Sequence, residues 1–475
     1  MIPIYTFGFD LSAVSGANSV YRDEAKLLAL YGQLPEATLN PEATYFDQTD
    51  VYRLQQLAVM AGKRRIILFV FDGMDWFSTW AAAIYRSGRV GYREGRGAGL
   101  GFQDYRGTLT DFGYFVTSPH NDGTECDVDG QVLKNPGGLT AGGYDWQRAG
   151  ETPWARAADI GYPIAKSLER KQAYTDSASS ATSMTSGIKT YNDAINVDIQ
   201  GHQVLPIARQ LQEQGFGVGI VTSVPISHAT PAAAYANNVH RDDYQDLTRD
   251  LVGLPSIAHR ETPPPGVDVL LGAGWGVTAE VDEAQGSNFV AGNRYVTADD
   301  LARIDRNNEG PYRVVERSPA VGGRRALARA AADAAAQGER LFGLFGVPSG
   351  HLPFRTANGD FQPTASVKAP AEQYTPADIA ENPTLADMAE AALEVLETND
   401  RGFWLMIEAG DVDWANHKNN LDDSIGAIQS GDEAFFAVTD WVERHGGWDD
   451  TAVFLTADHG HYFFLDKPER LLADE

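Results

Sequence analysis

Arg65-Ile-Ile-Leu-Phe-Val-Phe71-Asp72-Gly73 is an unbroken apolar run of strand length that stops on a carboxylate and a glycine. A strand with one wet face alternates apolar and polar residues. One covered on both faces has no need to, so this run reads as a buried parallel strand. Five further runs have the same form: Gly217-Val-Gly-Ile-Val-Thr222, Val267-Asp-Val-Leu-Leu271, Leu341-Phe-Gly-Leu-Phe345, Phe403-Trp-Leu-Met-Ile407 and Thr451-Ala-Val-Phe-Leu-Thr456. Helical patterns lie between them, from Leu205 to Gln214, Arg324 to Gln337, Thr384 to Glu397 and Ser424 to Arg444. Alternating strand and helix predict an α/β fold, a doubly wound and mostly parallel central sheet with helices on both faces. Residues 61–475 read as one such domain. The stretch 87–146, rich in Gly and Asp with scattered aromatics and no clear period, reads as a long irregular insertion over one edge of the core. Residues 1–60 read as an N-terminal extension packed on that core.

Composition narrows the function. The chain has 475 residues, 43% of them hydrophobic, enough for a large core, and a formal charge of −27. That charge argues against nucleic-acid binding or an anionic membrane surface, which require a positive face. An anionic substrate requires metal ions or Arg to reverse the sign locally. The lone Cys126 excludes an intrachain disulfide and a Cys-based zinc site. No apolar run reaches the roughly 18 residues of a membrane span. The start, Met1-Ile-Pro-Ile-Tyr-Thr-Phe-Gly-Phe-Asp10, lacks the basic and long apolar regions of a signal peptide. Either the protein is intracellular or an export segment is absent from the chain.

In open α/β sheets functional groups gather at the carboxyl ends of strands. Here those ends deliver Asp72, then Thr222 through His228 to Thr230, then Glu408 through Asp413 to His417, and last Asp458-His459-Gly-His461. So many carboxylates and imidazoles at one buried edge need cations to stay ionised. Carboxylate with His suits zinc, and carboxylate with hydroxyl suits magnesium. Asp413 and His417, four apart, share one helical face and can grip one ion. Thr175-Asp-Ser-Ala-Ser-Ser-Ala-Thr-Ser-Met-Thr-Ser-Gly187 places Ser177 in the first turn of a small-residue helix behind the N-cap Asp176. Free N–H groups and the helix dipole there suit a phosphoryl or acyl oxyanion.

With Asp72-Gly-Met74, Thr175-Asp-Ser-Ala178, His228-Ala-Thr-Pro-Ala232, Glu408…Asp413…His417 and Thr456-Ala-Asp-His-Gly-His461 in this order, the chain resembles the alkaline phosphatase family over roughly residues 64 to 464. The resemblance implies hydrolysis of small phosphate monoesters through a phosphoserine on Ser177, with two Zn2+ and one Mg2+. It makes Asp72, Asp458 and His459 ligands of the zinc beside Ser177, which itself touches that ion. It makes Asp413 and His417 ligands of the second zinc, and Thr230, Glu408 and the shared Asp72 the magnesium set. Arg241 becomes the guanidinium that grips the phosphoryl oxygens. His228 and His461 stand behind the ligands. The resemblance further implies a homodimer and a periplasmic or secreted location.

The chain departs from the family pattern at three places. His228 stands where many bacterial relatives carry Asp, and Trp414 replaces the usual Lys or His. The family's third ligand of the second zinc, a His beyond the Asp–His pair, has no counterpart, since residues 462–475 contain no His. Three readings follow: the C-terminal part of the family domain is missing, His461 or His351 substitutes, or the second site is weak. A sulfatase or phosphodiesterase on the same fold, or a non-catalytic metal- or phosphate-binding relative with an incomplete second zinc site, are the alternatives. A triad hydrolase lacks its Gly-x-Ser-x-Gly elbow here.

Overall fold

The computed structural model describes residues 1–136, 139–140 (backbone only), 142–162 and 174–472. Among the described residues ten strands form the central sheet: β1 Ile2–Phe7, β2 Phe46–Asp47, β3 Arg65–Phe71, β4 Thr110–Val116, β5 Gly217–Pro225, β6 Val269–Ala273, β7 Tyr312–Glu316, β8 Arg340–Leu344, β9 Phe403–Ala409 and β10 Thr451–Thr456. Their spatial order is β7-β8-β6-β5-β9-β3-β10-β1-β4-β2. Every pairing from β7 to β10 is parallel, and β1 runs antiparallel to both of its neighbours. All six strands expected from the apolar runs are present, and β5, β9 and β10 are buried from end to end.

Successive residues of β9 show the two covered faces. Phe403 packs its ring 5.8 Å from that of Trp441, on helix α7 (Leu421–Arg444). Trp404 points the other way and donates its indole N–H to Gln55 Oε1 at 2.8 Å, on helix α1 (Thr49–Met60). With period two along a strand, these contacts lie on opposite faces. The α7 face also carries α2 (Trp76–Ser87), α4 (Gly323–Gln337) and α5 (Leu385–Leu396). On the α1 face lies α3 (Ser177–Ser186), tied to α1 by Gln55 Nε2 donating to Met184 O at 3.0 Å.

Helix α3 is buried along its whole length although most of its residues are Ser or Thr. Small side chains allow the close approach, and the hydroxyls return their hydrogen bonds to nearby backbone. Ser183 donates to Ser179 O, Thr185 to Ala181 O and Thr182 to Ala194 O, at 3.0, 2.9 and 3.0 Å.

Two segments depart from the sequence expectation. Ile2–Phe7, within the stretch expected to rest on the core, is a fully buried strand between β10 and β4. Pro3 disguises it, because Pro cannot donate in a ladder. Its carbonyl instead accepts from Thr456 Oγ1 at 2.8 Å. The irregular stretch 87–146, of which residues 137, 138 and 141 lie outside the described residues, contributes β4 to the sheet, its pattern obscured by Asp111 and Gly113. Among the described residues no helix is long and apolar enough to cross a membrane.

Gly426 shows that close packing outranks helix propensity in α7. A Cβ there would fall on the backbone of Arg355 and Thr356. Ala is the better helix former by about 1 kcal/mol, yet Gly426→Ala is expected to destabilise by about 1–3 kcal/mol, the usual range for overpacking. Thermal unfolding checks this: a raised Tm would show that the contact yields without cost.

Candidate active site

The ends of four neighbouring strands, β5, β9, β3 and β10, build the site. Their register sets Glu408 beside both Val70 and Thr222, and Thr456 beside Val70. Asp72 and Asp458 each leave their strand two residues past the Val70–Thr456 pair, and so emerge side by side.

Ser177 opens α3, capped by Asp176, whose side chain accepts from Ser179 N at 2.9 Å. Ser177 Oγ lies 3.1 Å from His459 Nε2 and 3.4 Å from Asp72 Oδ1. Asp458 is fixed by three donors, Gly73 N at 3.0 Å, His459 N at 2.8 Å and Ser180 Oγ at 3.2 Å. Asp72, Asp458 and His459 are all buried, and their ligand atoms lie within 4.8 Å of one another.

Beside this group stands a second one, Asp413, His417 and His461, equally compact. Asp413 and His417 are carried by helix α6 (Asp411–His417), and the expected i,i+4 pair is 3.5 Å apart. His461, expected behind the ligands, instead reaches Asp413 Oδ1 directly at 2.6 Å. Gly73 makes the room, for a Cβ at that position would lie 2.7 Å from His461 Nε2. His351 joins neither group: its ring is held by Glu372 at 2.8 Å and lies 3.3 Å from Asp411.

The third set is Glu408 and Thr230. Glu408 Oε2 accepts a short hydrogen bond from Thr222 Oγ1, whereas Glu408 Oε1, Thr230 Oγ1 and Asp72 Oδ2 are buried without a well-formed partner. Orphaned buried oxygens cost on the order of 1–3 kcal/mol each and call for an explanation. Burial, then Asp458, Asp413 and Glu408, pushes the Asp72 carboxyl well above its ordinary range. Burial likewise raises Glu408 to about 8, against the opposing Thr222 hydroxyl. Burial would also raise Asp413, yet His461, His459 and His417 together hold it below the usual carboxylate range. Carboxylates, imidazoles and orphaned oxygens in three adjoining sets are the donors that divalent cations take.

Arg241 is clamped to the cap of α3, donating to Asp176 Oδ2 at 3.0 Å, and its other nitrogen lies 3.5 Å from His228 Nε2. Burial, then Arg241, lowers His228 to about 4 and keeps it neutral. Its ring meets Trp414 edge to face at 5.8 Å, and His228 lines the same cleft as Ser177 and Arg241. Sequence reasoning missed the Asp176–Arg241 pair and Gln48, whose Nε2 donates to Asp458 O at 2.6 Å from across the sheet. No spacing signal exists for a contact 410 residues apart in the chain. Ser177, Arg241 and the second set line a cleft of about 710 Å³.

A family model described as alkaline phosphatase matches residues 158–469. Alkaline phosphatase of Escherichia fergusonii is 28% identical over 314 residues, which is 65% of this chain and 62% of that protein. Alkaline phosphatase H of Pseudomonas aeruginosa is 31% identical over 326 residues, again 65% and 62%. The chain thus spans about 62% of the length of these relatives. The crystal structure of Thermus thermophilus alkaline phosphatase aligns at a TM-score of 0.48 and 21% identity, covering 84% of this chain and 60% of that one. Asp72 precedes the matched residues, and geometry alone brings it to Ser177.

Proposed function

Because the chain belongs to the alkaline phosphatase family, we propose that it hydrolyses phosphate monoesters through a phosphoserine at Ser177. The observation that carries this reading is the pair of compact donor sets beside a serine hydroxyl at the first position of a helix. Asp72, Asp458 and His459 would hold one zinc, Asp413, His417 and His461 the other, and Asp72, Thr230 and Glu408 a magnesium. Bound there, the ions would supply positive charge where the attacking and departing oxygens turn anionic.

The chain's own groups do the rest. Ser177 Oγ, steadied by His459 and Asp72, forms the bond to phosphorus while the bond to the departing alcohol breaks. Water then cleaves the phosphoserine and returns Ser177. Arg241, pinned by Asp176 in a fixed orientation, offers its planar fork to two phosphoryl oxygens. The N–H groups of the first turn of α3 add donors at the same corner. A serine nucleophile beside a clamped Arg favours monoesters over sulfate esters or diesters.

The test is turnover of 4-nitrophenyl phosphate near pH 9 with zinc and magnesium supplied. Activity that EDTA abolishes supports the reading, and a folded, metal-loaded protein without turnover defeats it. His461 has its own test. Its substitution in His461→Asn is expected to halve the zinc bound at saturation and to lower activity at least 100-fold. A residue that only orients a ligand would weaken affinity by about 10–100-fold while leaving stoichiometry intact.

A further inference from the structure

The cleft is far larger than a phosphate group, and the departing part of the substrate must fill the remainder. Under the phosphatase reading, which this inference rests on, the departing oxygen lies next to the Asp413–His417–His461 set. The surroundings of that set are therefore the surroundings of the leaving group.

Three side chains stand out there. Lys368 lines the cleft and donates its Nζ to His417 O at 2.9 Å, with two further N–H donors left over. Lys418, directly after His417, lines it as well, its charge shared with nearby Glu372, Asp411 and Asp423. Among the described residues these two are the cleft's only lysines, and Arg241 is its only arginine. On a chain of charge −27, the two lysines bring positive charge to one cleft. Tyr462, directly after His461, is 38% exposed and lines both this cleft and the neighbouring cavity around Asp75 and Trp76. Its backbone lies in the left-handed region at φ 53, costly for a bulky residue and most often tolerated where a site demands it.

We propose that Tyr462, Lys368 and Lys418 form a leaving-group subsite that selects aromatic phosphate monoesters bearing a second negative charge. The ring takes the flat part of the departing group, and the lysines take its anionic substituent. Of the carboxylates that line the cleft among the described residues, Asp413 is engaged by three imidazoles and Asp176 by Arg241, while Lys418 also faces Glu372, Asp411 and Asp423 behind the lining.

The test compares kcat/KM for 4-carboxyphenyl phosphate, phenyl phosphate and glycerol phosphate in the full chain with metals supplied. Comparing ratios between variants cancels the intrinsic reactivity of each ester. Lys368→Met with Lys418→Met is expected to cut the carboxyphenyl-to-phenyl ratio by about 2- to 5-fold per charge removed, the range for partly exposed ion pairs. In the unaltered protein, high salt should depress the same ratio. Tyr462→Asn, chosen because Asn accepts left-handed backbone, is expected to cut the phenyl-to-glycerol ratio by about 2- to 10-fold. Ratios unmoved by the substitutions and by salt would overturn the subsite while leaving the phosphatase standing. Absence of turnover on all three esters in the unaltered protein would remove both.

Discussion

Ser177→Ala is expected to reduce hydrolysis of 4-nitrophenyl phosphate by a factor on the order of 10³ to 10⁶, the range for loss of a catalytic nucleophile that works as part of a unit. The hydroxyl makes two contacts, with His459 and Asp72, and Asp458 is held without it by accepting from Gly73 N and Ser180 Oγ. The substitution therefore removes the attacking atom and leaves the metal sets nearly intact. Zinc content should stay within experimental error of the parent, and Tm should move by no more than a few degrees. Acid quenching of the parent during turnover should trap phosphate on Ser177 and nowhere else. Turnover of the variant within tenfold of the parent would mean that water attacks directly, and the covalent route would have to be given up.

Six strands, among them the four whose ends build the site, are readable because they are buried on both faces, which writes them as continuous apolar runs. Their ends are less so. The run beginning at Val267 enters the sheet two residues late, since Asp268 turns its side chain to accept from Val218 N at 2.8 Å. Strand β1 is hidden because Pro3 and Thr6 interrupt a run whose burial depends on β10, more than 440 residues away in the chain. Strand β7, Tyr-Arg-Val-Val-Glu, lies at the sheet edge, and its Arg313 and Glu316 are only partly covered or exposed.

The donors of the site are legible for a chemical reason: carboxylate, imidazole and hydroxyl at strand ends have no structural use in such numbers. Their grouping is less legible. Asp458-His459-Gly460-His461 specifies two imidazoles but not that the chain turns so as to send His459 to Ser177 and His461 to Asp413. That depends on Gly73, a residue whose sequence signal is only a turn after a strand. The Asp176–Arg241 clamp is likewise invisible, because each residue has a sufficient local reason to exist, one as a helix cap and the other as an anion grip.

Asp72→Asn should change sign with metal. Without metal, Asp72 and Glu408 are carboxyls that burial, and after it the nearby Asp458 carboxylate, hold protonated to unusually high pH, Glu408 to about 8. In the unfolded chain both ionise near pH 4. Between about pH 4 and 8 the folded state therefore carries more protons than the unfolded state, and its stability falls as pH rises. The metal-free parent is thus expected to melt lower at pH 8 than at pH 5. Asn keeps the shape and removes one ionisable group, so metal-free Asp72→Asn should melt higher than the parent at pH 8. With zinc and magnesium supplied the order should reverse. Ligand present at about 100 times its Kd adds about 2.7 kcal/mol to a protein that binds it, and under the proposed assignment Asp72 would serve two of the three donor sets. The parent should rise by several degrees and lose its slope with pH, the variant should rise far less, and its turnover should fall at least 1000-fold. Equal metal-induced shifts in both proteins would show that Asp72 is no ligand. A variant that melts below the parent even without metal would show that its carboxylate is held by hydrogen bonds, and that the cluster needs no cation to be stable.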